Sequence, residues 1–254
     1  MAGDRTPGQR RRPPSGAGSP GREGGSRERR GDSGAKRGTW DVSSGTLPRW
    51  IAEELGRVTP RARLTAATEQ LTAAAEAFAA GKHEKAFRLA EAAKALSPRD
   101  ATVRELMALS AYRTGKWETA LRELRTYRRY TGDTSHMAVE MDVLRALDRP
   151  DDVDAAWDLL KRLGGTKEAR DEARVVYGAH LLDRGEPRRA WEATNPGRLS
   201  HDANESDMRV WYVAARAAAR LGDTGTARKL LEAIQRADAG FPALDRLEKE
   251  IRGA

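Results

Sequence analysis

A five-residue step from glycine to alanine recurs along the chain and constrains its fold more than any other feature. The step joins Gly81 to Ala86, and it returns 34 residues further on. Each glycine allows a tight turn between two antiparallel helices, and a small residue seven positions earlier lets those helices pack closely. The residues that share this pattern, with one proline that ends a repeat, are Ala74, Gly81, Ala86, Pro98, Ala108, Gly115, Ala120, Gly185, Ala190, Ala215, Gly222 and Ala227.

Between these breaks the apolar residues follow the i, i+3, i+4 spacing of a helix, and no stretch alternates as a strand would. The sequence therefore predicts an all-α fold. Two segments depart from the regular pattern. Between His136 and Arg170 we expect Arg149-Pro150 to replace the turn glycine, with Ala155 or Ala156 as the following alanine, and residues 195–205 have no helix signal.

The order small, turn, small, proline at a period near 34 residues resembles the tetratricopeptide repeat (TPR). The resemblance covers about Arg61 to Ala239. It implies a right-handed superhelical α-solenoid of about five TPR-like helical hairpins. The stretches RVVYGAHLLDRGEPRRAW and RVWYVAARAAARLGD are further similar to a group of actinobacterial TPR proteins that have basic Arg/Gly-rich N-terminal tails.

The composition divides the chain into three parts. Residues 1–38 contain ten Gly and four Pro but no aromatic residue, which predicts a disordered tail because such a segment buries too little apolar surface to fold. Residues 39–58 should form a linker and a short capping helix that begins near Pro48. Residues 59–252 should form the repeat domain, with Thr59-Pro60 at its first helix start.

The motifs of common enzyme and metal sites are missing from the sequence. It has no cysteine, its four histidines lack metal-ligand spacing, and the Gly-Lys pair at Thr114–Trp117 lacks the other residues of a phosphate loop. We therefore expect no catalytic residue, no metal and no cofactor. The sequence also contains no apolar segment typical of a signal peptide or a membrane span, so we expect a cytoplasmic protein without membrane insertion.

The TPR resemblance implies that the first helix of each hairpin lines a concave groove, where a protein or peptide partner would bind. By repeat phase, Val175 also falls on this groove-lining face. Because aromatic and Arg side chains often anchor interfaces, we expect Tyr112 with Arg113 and Tyr212 with Arg216 to be the main anchors. The alternative is that both tyrosines pack between hairpins. The candidate groove residues are Glu105, Leu109, Tyr112, Arg113, Arg209, Tyr212, Arg216 and Arg220.

A second function class follows from the distribution of charge. The chain carries a net charge of +8, of which residues 1–38 contribute most. An RNA- or ribosome-associated protein could use such a tail for contacts that tolerate many sequences and weaken with salt. For the arginines of the segment LRELRTYRRY, a solvated helix face is the alternative interpretation. The candidate phosphate contacts are Arg10, Arg11, Arg12, Arg29, Arg30, Arg122, Arg125 and Arg129.

Overall fold

The computed structural model describes residues 47–254, and every regular element in this range is an α-helix. The tail residues 1–38, including Arg10–Arg12 and Arg29–Arg30, lie outside the described residues. The helices are α1 (Arg49–Val58), α2 (Arg61–Ala79), α3 (His83–Leu96), α4 (Ala101–Arg113), α5 (Trp117–Thr131), α6 (Met137–Ala146), α7 (Pro150–Leu163), α8 (Lys167–Asp183), α9 (Pro187–Thr194), α10 (Glu205–Arg220), α11 (Thr224–Ala237) and α12 (Leu244–Arg252).

Helices α2 to α11 pair in chain order into five antiparallel hairpins, which confirms the predicted α-solenoid. Each hairpin packs on the next one, so the core runs along the stack instead of forming a single centre. Helix α1 precedes the first hairpin and buries Ile51 and Leu55, and α12 follows the last and buries Leu247 and Ile251.

The five hairpins share one turn geometry, which explains the glycines of the sequence pattern. At the second turn, the Gly115 N–H donates to the carbonyl of Tyr112, and the Lys116 N–H donates to the carbonyl of Ala111. The same pair of bonds recurs at the other four turns, and together they satisfy carbonyls that the end of a helix leaves free. The turn residue has a positive φ, as at Gly81 (70°) and Gly222 (79°), a conformation that glycine adopts without strain.

The small residues of the pattern lie where the two helices of a hairpin meet. All the signature alanines are fully buried: Ala74, Ala86, Ala108, Ala120, Ala190, Ala215 and Ala227. In the fourth hairpin, a Cβ on Gly178 would lie 2.5 Å from the Thr194 Cγ2 of α9 and 2.8 Å from the Val213 Cγ1 of α10. Only glycine fits at that crossing. Pro98, by contrast, is exposed in the connection between α3 and α4.

The third hairpin corrects the sequence interpretation. Its turn residue is Asp148, which has a φ of 54° and makes the same backbone bonds as the turn glycines. Arg149 is instead the N-cap of α7, and Pro150 is its first residue. Five positions after Asp148 comes the fully buried Val153, which takes the place predicted for Ala155 or Ala156. Aspartate tolerates a left-handed backbone better than most residues, so it can replace the turn glycine.

Residues 195–204 between α9 and α10 are non-helical, as predicted, although Glu205 already begins α10. Helix α9 ends after only eight residues. Arg174 of α8 stabilises this early end. Its guanidinium donates to the carbonyls of Ala193, Thr194 and Asn195 at 2.9–3.0 Å. A cationic side chain thus supplies hydrogen bonds to carbonyls that a longer helix would have satisfied internally.

One buried carboxylate belongs to α5 and a second faces it from α6, and each is paired with two or more cations. Glu123 is fully buried and forms salt bridges with Lys94, Arg104 and Arg122. Burial raises the pKa of Glu123, but the hydrogen bonds from Lys94 and Arg104 outweigh it and hold the pKa below its ordinary value. Glu140 of α6 is 3% exposed and forms salt bridges with Arg125 and Arg128 of α5.

Asp100, the N-cap of α4, is a buried carboxylate of a different kind. One of its oxygens accepts the Val103 N–H at 2.8 Å, but the other oxygen has no hydrogen-bond partner among the described residues. Burial raises the pKa of Asp100 to about 6, although its backbone hydrogen bonds act in the opposite direction. Thr59, the predicted cap of the first repeat, lies next to α2 without capping it and shares a hydrogen bond with Ser97.

Candidate functional site: a cleft in the groove

The first helices of the second to fifth hairpins, α4, α6, α8 and α10, together line a cleft of about 390 Å³. It runs from the C-terminal end of α4, across α6 and α8, to the first turns of α10. Every lining residue belongs to one of these first helices, as the repeat phase predicts for the concave face. The lining residues are Tyr112, Ala138, Val139, Asp142, Glu168, Glu172, Val175, Val176, Glu205, Ser206 and Arg209.

The floor of the cleft is apolar. Val139, Val175 and Val176 pack on the hydrophobic core with one side and line the cleft with the other, so each is only partly buried. Tyr112 completes the floor, with its ring edge-on to Trp117 at a centroid distance of 5.9 Å. Partly buried valines at the bottom of a concave surface provide apolar area that a bound side chain could cover.

Tyr112 also begins a set of polar contacts between successive first helices. Its hydroxyl donates to the Asp142 Oδ2 of α6 at 2.7 Å, and Asp142 Oδ1 accepts from Arg145 at 3.0 Å. Arg145 in turn reaches Asp183 of α8 at 2.9 Å. Burial and the bond to the Asp142 carboxylate raise the pKa of Tyr112, so its hydroxyl remains a donor at neutral pH.

Further contacts join α8 to α10 at the other end of the cleft. The Lys167 ammonium lies 2.7 Å from Asp171 and 2.5 Å from Asp207, and these two hydrogen bonds raise its pKa. Asp207 also closes a capping box with Asn204 at the start of α10. The first helices are thus connected by side chains on both sides of the cleft, which holds its shape before anything binds.

Of the eight candidate groove residues, the structure brings Tyr112 and Arg209 together in the cleft. Leu109 is half-buried one turn before Tyr112. Arg113 is exposed, with its guanidinium 6.0 Å from the Tyr112 ring centroid. Tyr212 of α10 packs against Phe241 in the connection between α11 and α12, at a centroid distance of 6.1 Å.

The other three candidates make internal contacts. Glu105 is 9% exposed, and its carboxylate lies 2.7 Å from His136 Nε2. Arg216 and Arg220 both bind Glu250 of α12, at 2.8 and 3.1 Å. Arg220 also donates to the carbonyl of Leu182. These arginines attach the last helix to the stack, so they do not reach the cleft.

Sequence reasoning missed most of the rim and part of the floor. On α6 the cause is the register of the third hairpin, which depends on its turn residue, whereas on α8 and α10 the mapped face included only Val175 and Arg209 of the lining residues. With Asp148 as the counterpart of Gly115, Asp142 falls at the position of Leu109, and Ala138 at that of Glu105. The sequence signal that could have revealed this register was Asp148 at the position of a turn glycine. The residues found only in the structure are Ala138, Val139, Asp142, Glu168, Glu172, Val176, Glu205 and Ser206.

The candidate phosphate contacts on α5 are mostly engaged with neighbouring side chains. Arg125 binds the buried Glu140 at 2.9 Å, and Arg122 contacts Glu123 at 3.2 Å. Arg129 is exposed, and its guanidinium lies 5.7 Å from the Tyr130 ring centroid. The basic helix therefore supplies counter-charges for buried carboxylates.

No group of three His, Cys, Asp or Glu side chains in residues 47–254 is arranged to hold a metal ion. Among the helices of the same range, none combines the length and the hydropathy that crossing a bilayer requires.

Comparison with known proteins identifies the fold. No protein-family model matches the sequence, and no curated protein matches it either. Among solved structures, the chain is similar to YrrB, described as a TPR protein with an unusual peptide-binding site. The TM-score is 0.50 at 16% identity, and the match covers 72% of this chain and 92% of YrrB. With five hairpins that share one turn geometry, the chain has the fold of the tetratricopeptide-repeat superfamily.

Proposed function

We propose that the protein is a non-enzymatic scaffold that binds a protein or peptide segment in the concave cleft. The observation that carries the proposal is the cleft itself, which has an apolar floor, a charged rim and walls from four successive first helices. Polar contacts such as Tyr112–Asp142 and Lys167–Asp207 hold this surface in place. A preformed groove binds a flexible segment at a lower cost, because only the segment has to be ordered. YrrB, with the same fold, is described as having a peptide-binding site.

The proposal is tested by selecting ligands and then altering the floor of the cleft. A phage library of random dodecapeptides is panned on the full chain, and the affinities of the enriched peptides are measured by calorimetry. Val139→Gln puts a polar group where a bound apolar side chain would lie, so we expect affinity to fall about tenfold or more. Leu163→Gln is the matched control, because Leu163 is 55% exposed at the end of α7, away from the cleft.

Circular dichroism and thermal unfolding show whether each variant remains folded. Enriched peptides that bind wild type and folded Val139→Gln equally well would place the binding site elsewhere and contradict the proposal. A similar loss of affinity in Leu163→Gln would also count against it, because a general effect would then be responsible.

A further inference from the structure

The charges on the rim of the cleft suggest what kind of segment it binds. Four carboxylates line the cleft, from Asp142, Glu168, Glu172 and Glu205, against one guanidinium, that of Arg209. Two of the carboxylates already have cationic partners. Asp142 accepts from Arg145 at 3.0 Å, and Glu205 accepts from Arg209 at 2.6 Å.

Glu168 and Glu172 are different, because neither forms an ion pair or a hydrogen bond with any side chain in residues 47–254. Both are exposed, and they lie four residues apart on α8, so their carboxylates are neighbours on one face of that helix. Like charges at this spacing repel each other and slightly destabilise a helix. The fold therefore gains no ion pair from this arrangement, which leaves both charges available to a ligand.

Apolar surface lies directly beside these carboxylates. Val175 and Val176 follow Glu172 by three and four residues, one helical turn along α8, and they form the floor of the same cleft. A ligand that places an apolar side chain on the floor would thus hold its flanking residues next to Glu168 and Glu172.

The local negative charge contrasts with the chain as a whole, which carries a net charge of +8. A concave surface lined mainly by one sign of charge concentrates its field and attracts ligands of the opposite sign. The phosphates of a nucleic acid would be repelled at this position, and so would an acidic peptide.

We propose that the cleft recognises a cationic peptide segment in which Lys or Arg residues flank an apolar side chain. The apolar side chain covers Val139, Val175 and Val176, and the cations pair with Glu168 and Glu172. This inference rests on the proposed function and adds the chemistry of the partner to it.

Three labelled peptides of equal length test the inference on the full chain by fluorescence anisotropy. Each consists of three copies of a four-residue unit: Gly-Lys-Leu-Lys, Gly-Glu-Leu-Glu or Gly-Lys-Gly-Lys. We expect the first to bind, with an affinity that falls as salt is raised because the new ion pairs are solvent-exposed. The acidic peptide should not bind. The peptide without leucine should bind at least about tenfold more weakly than the first.

A pair of matched double variants locates the binding. Glu168→Gln with Glu172→Gln should weaken the Gly-Lys-Leu-Lys peptide about tenfold and reduce its salt dependence. Glu91→Gln with Glu232→Gln removes the same charge from exposed positions on α3 and α11, outside the cleft, and should leave the affinity unchanged. Equal affinity in wild type and the Glu168/Glu172 variant, or equal binding of the acidic peptide, would overturn the inference.

Failure of this inference can be told apart from failure of the proposed function. If the library yields peptides without Lys or Arg that still depend on Val139, the cleft binds peptides but not cationic ones. If no peptide depends on Val139, both proposals are wrong.

Discussion

Glu123 of α5 and Glu140 of α6 each pair with two or more cations, whereas Glu168 and Glu172 on the rim of the cleft pair with none within the described residues. The first pair is buried and the second pair is exposed. A buried charge is costly unless it is paired, so the fold must supply counter-ions beside α5. An exposed charge imposes no such requirement. The buried carboxylates thus stabilise the stack, whereas the exposed carboxylates of the rim can bind a partner.

The largest effect on stability is expected when a buried carboxylate loses its charge and its ion pairs are broken. Glu123→Gln leaves Lys94 and Arg104 partly buried without their counter-charge, so we expect the free energy of unfolding to fall by about 3 to 5 kcal/mol. Urea denaturation followed by circular dichroism measures the change. Glu91→Gln, on the exposed side of α3, should stay within about 0.5 kcal/mol of wild type. An equally small change in Glu123→Gln would mean that burial beside α5 does not require pairing.

Asp100 combines the two cases, because it is buried like Glu123 but has no cationic partner among the described residues. Its pKa is about 6 in the folded protein against an ordinary value of 3.8. The stability that its protonated form contributes is therefore present below about pH 3.8 and is lost as the pH rises through about 6. Asp100→Asn retains a capping oxygen but cannot ionise.

We expect Asp100→Asn to have a higher free energy of unfolding than wild type, by an amount that increases with pH. The difference in unfolding free energy should grow by about 2 kcal/mol between pH 4 and pH 7, because most of the shift of roughly two pKa units is expressed in this range. Denaturation at several pH values measures it. A difference that stays constant over this range would show that burial does not raise the pKa of Asp100. Burial alone would then not separate this carboxylate from the exposed carboxylates of the rim.

The smallest effect is expected on the rim, and its sign is opposite to that of Glu123→Gln. Glu172→Gln removes the repulsion from Glu168 one turn earlier, so the free energy of unfolding should rise by about 0.2 to 0.5 kcal/mol. Thermal unfolding at low salt gives the best sensitivity, and the gain should shrink as salt is added. A loss of more than about 1 kcal/mol would mean that Glu172 stabilises the stack and belongs with Glu123.

The sequence predicts the hairpins well where the turn depends on backbone geometry that only a few residue types favour. The glycines at 81, 115, 185 and 222 fall at the turns, and the small residues fall at the helix crossings, because both requirements are local. The third hairpin was misread, because Asp148 can adopt the left-handed conformation without being glycine. That single difference shifts the register of α6 and conceals Val139 and Asp142.

The candidate site could be predicted only in outline. Repeat phase identified the first helices as the lining of the groove, and Tyr112 and Arg209 lie in the cleft. The position of a residue within the repeat does not show whether its charge is already paired. Arg216 and Arg220 bind Glu250, which is at least 30 residues away in the chain, and Arg125 binds Glu140 across a turn. Such pairings arise from tertiary structure, so no local pattern indicates them.

The turn at Asp148 has a consequence for how a repeat of this kind is recognised. It makes the two backbone hydrogen bonds that the four glycine turns make, while the adjacent crossing contains Met141 and Val153 where other hairpins have glycine or alanine. The third hairpin thus has the turn geometry of the other four without their characteristic residues. A repeat of this fold can therefore be recognised by the backbone hydrogen bonds of its turn where its residue pattern is missing.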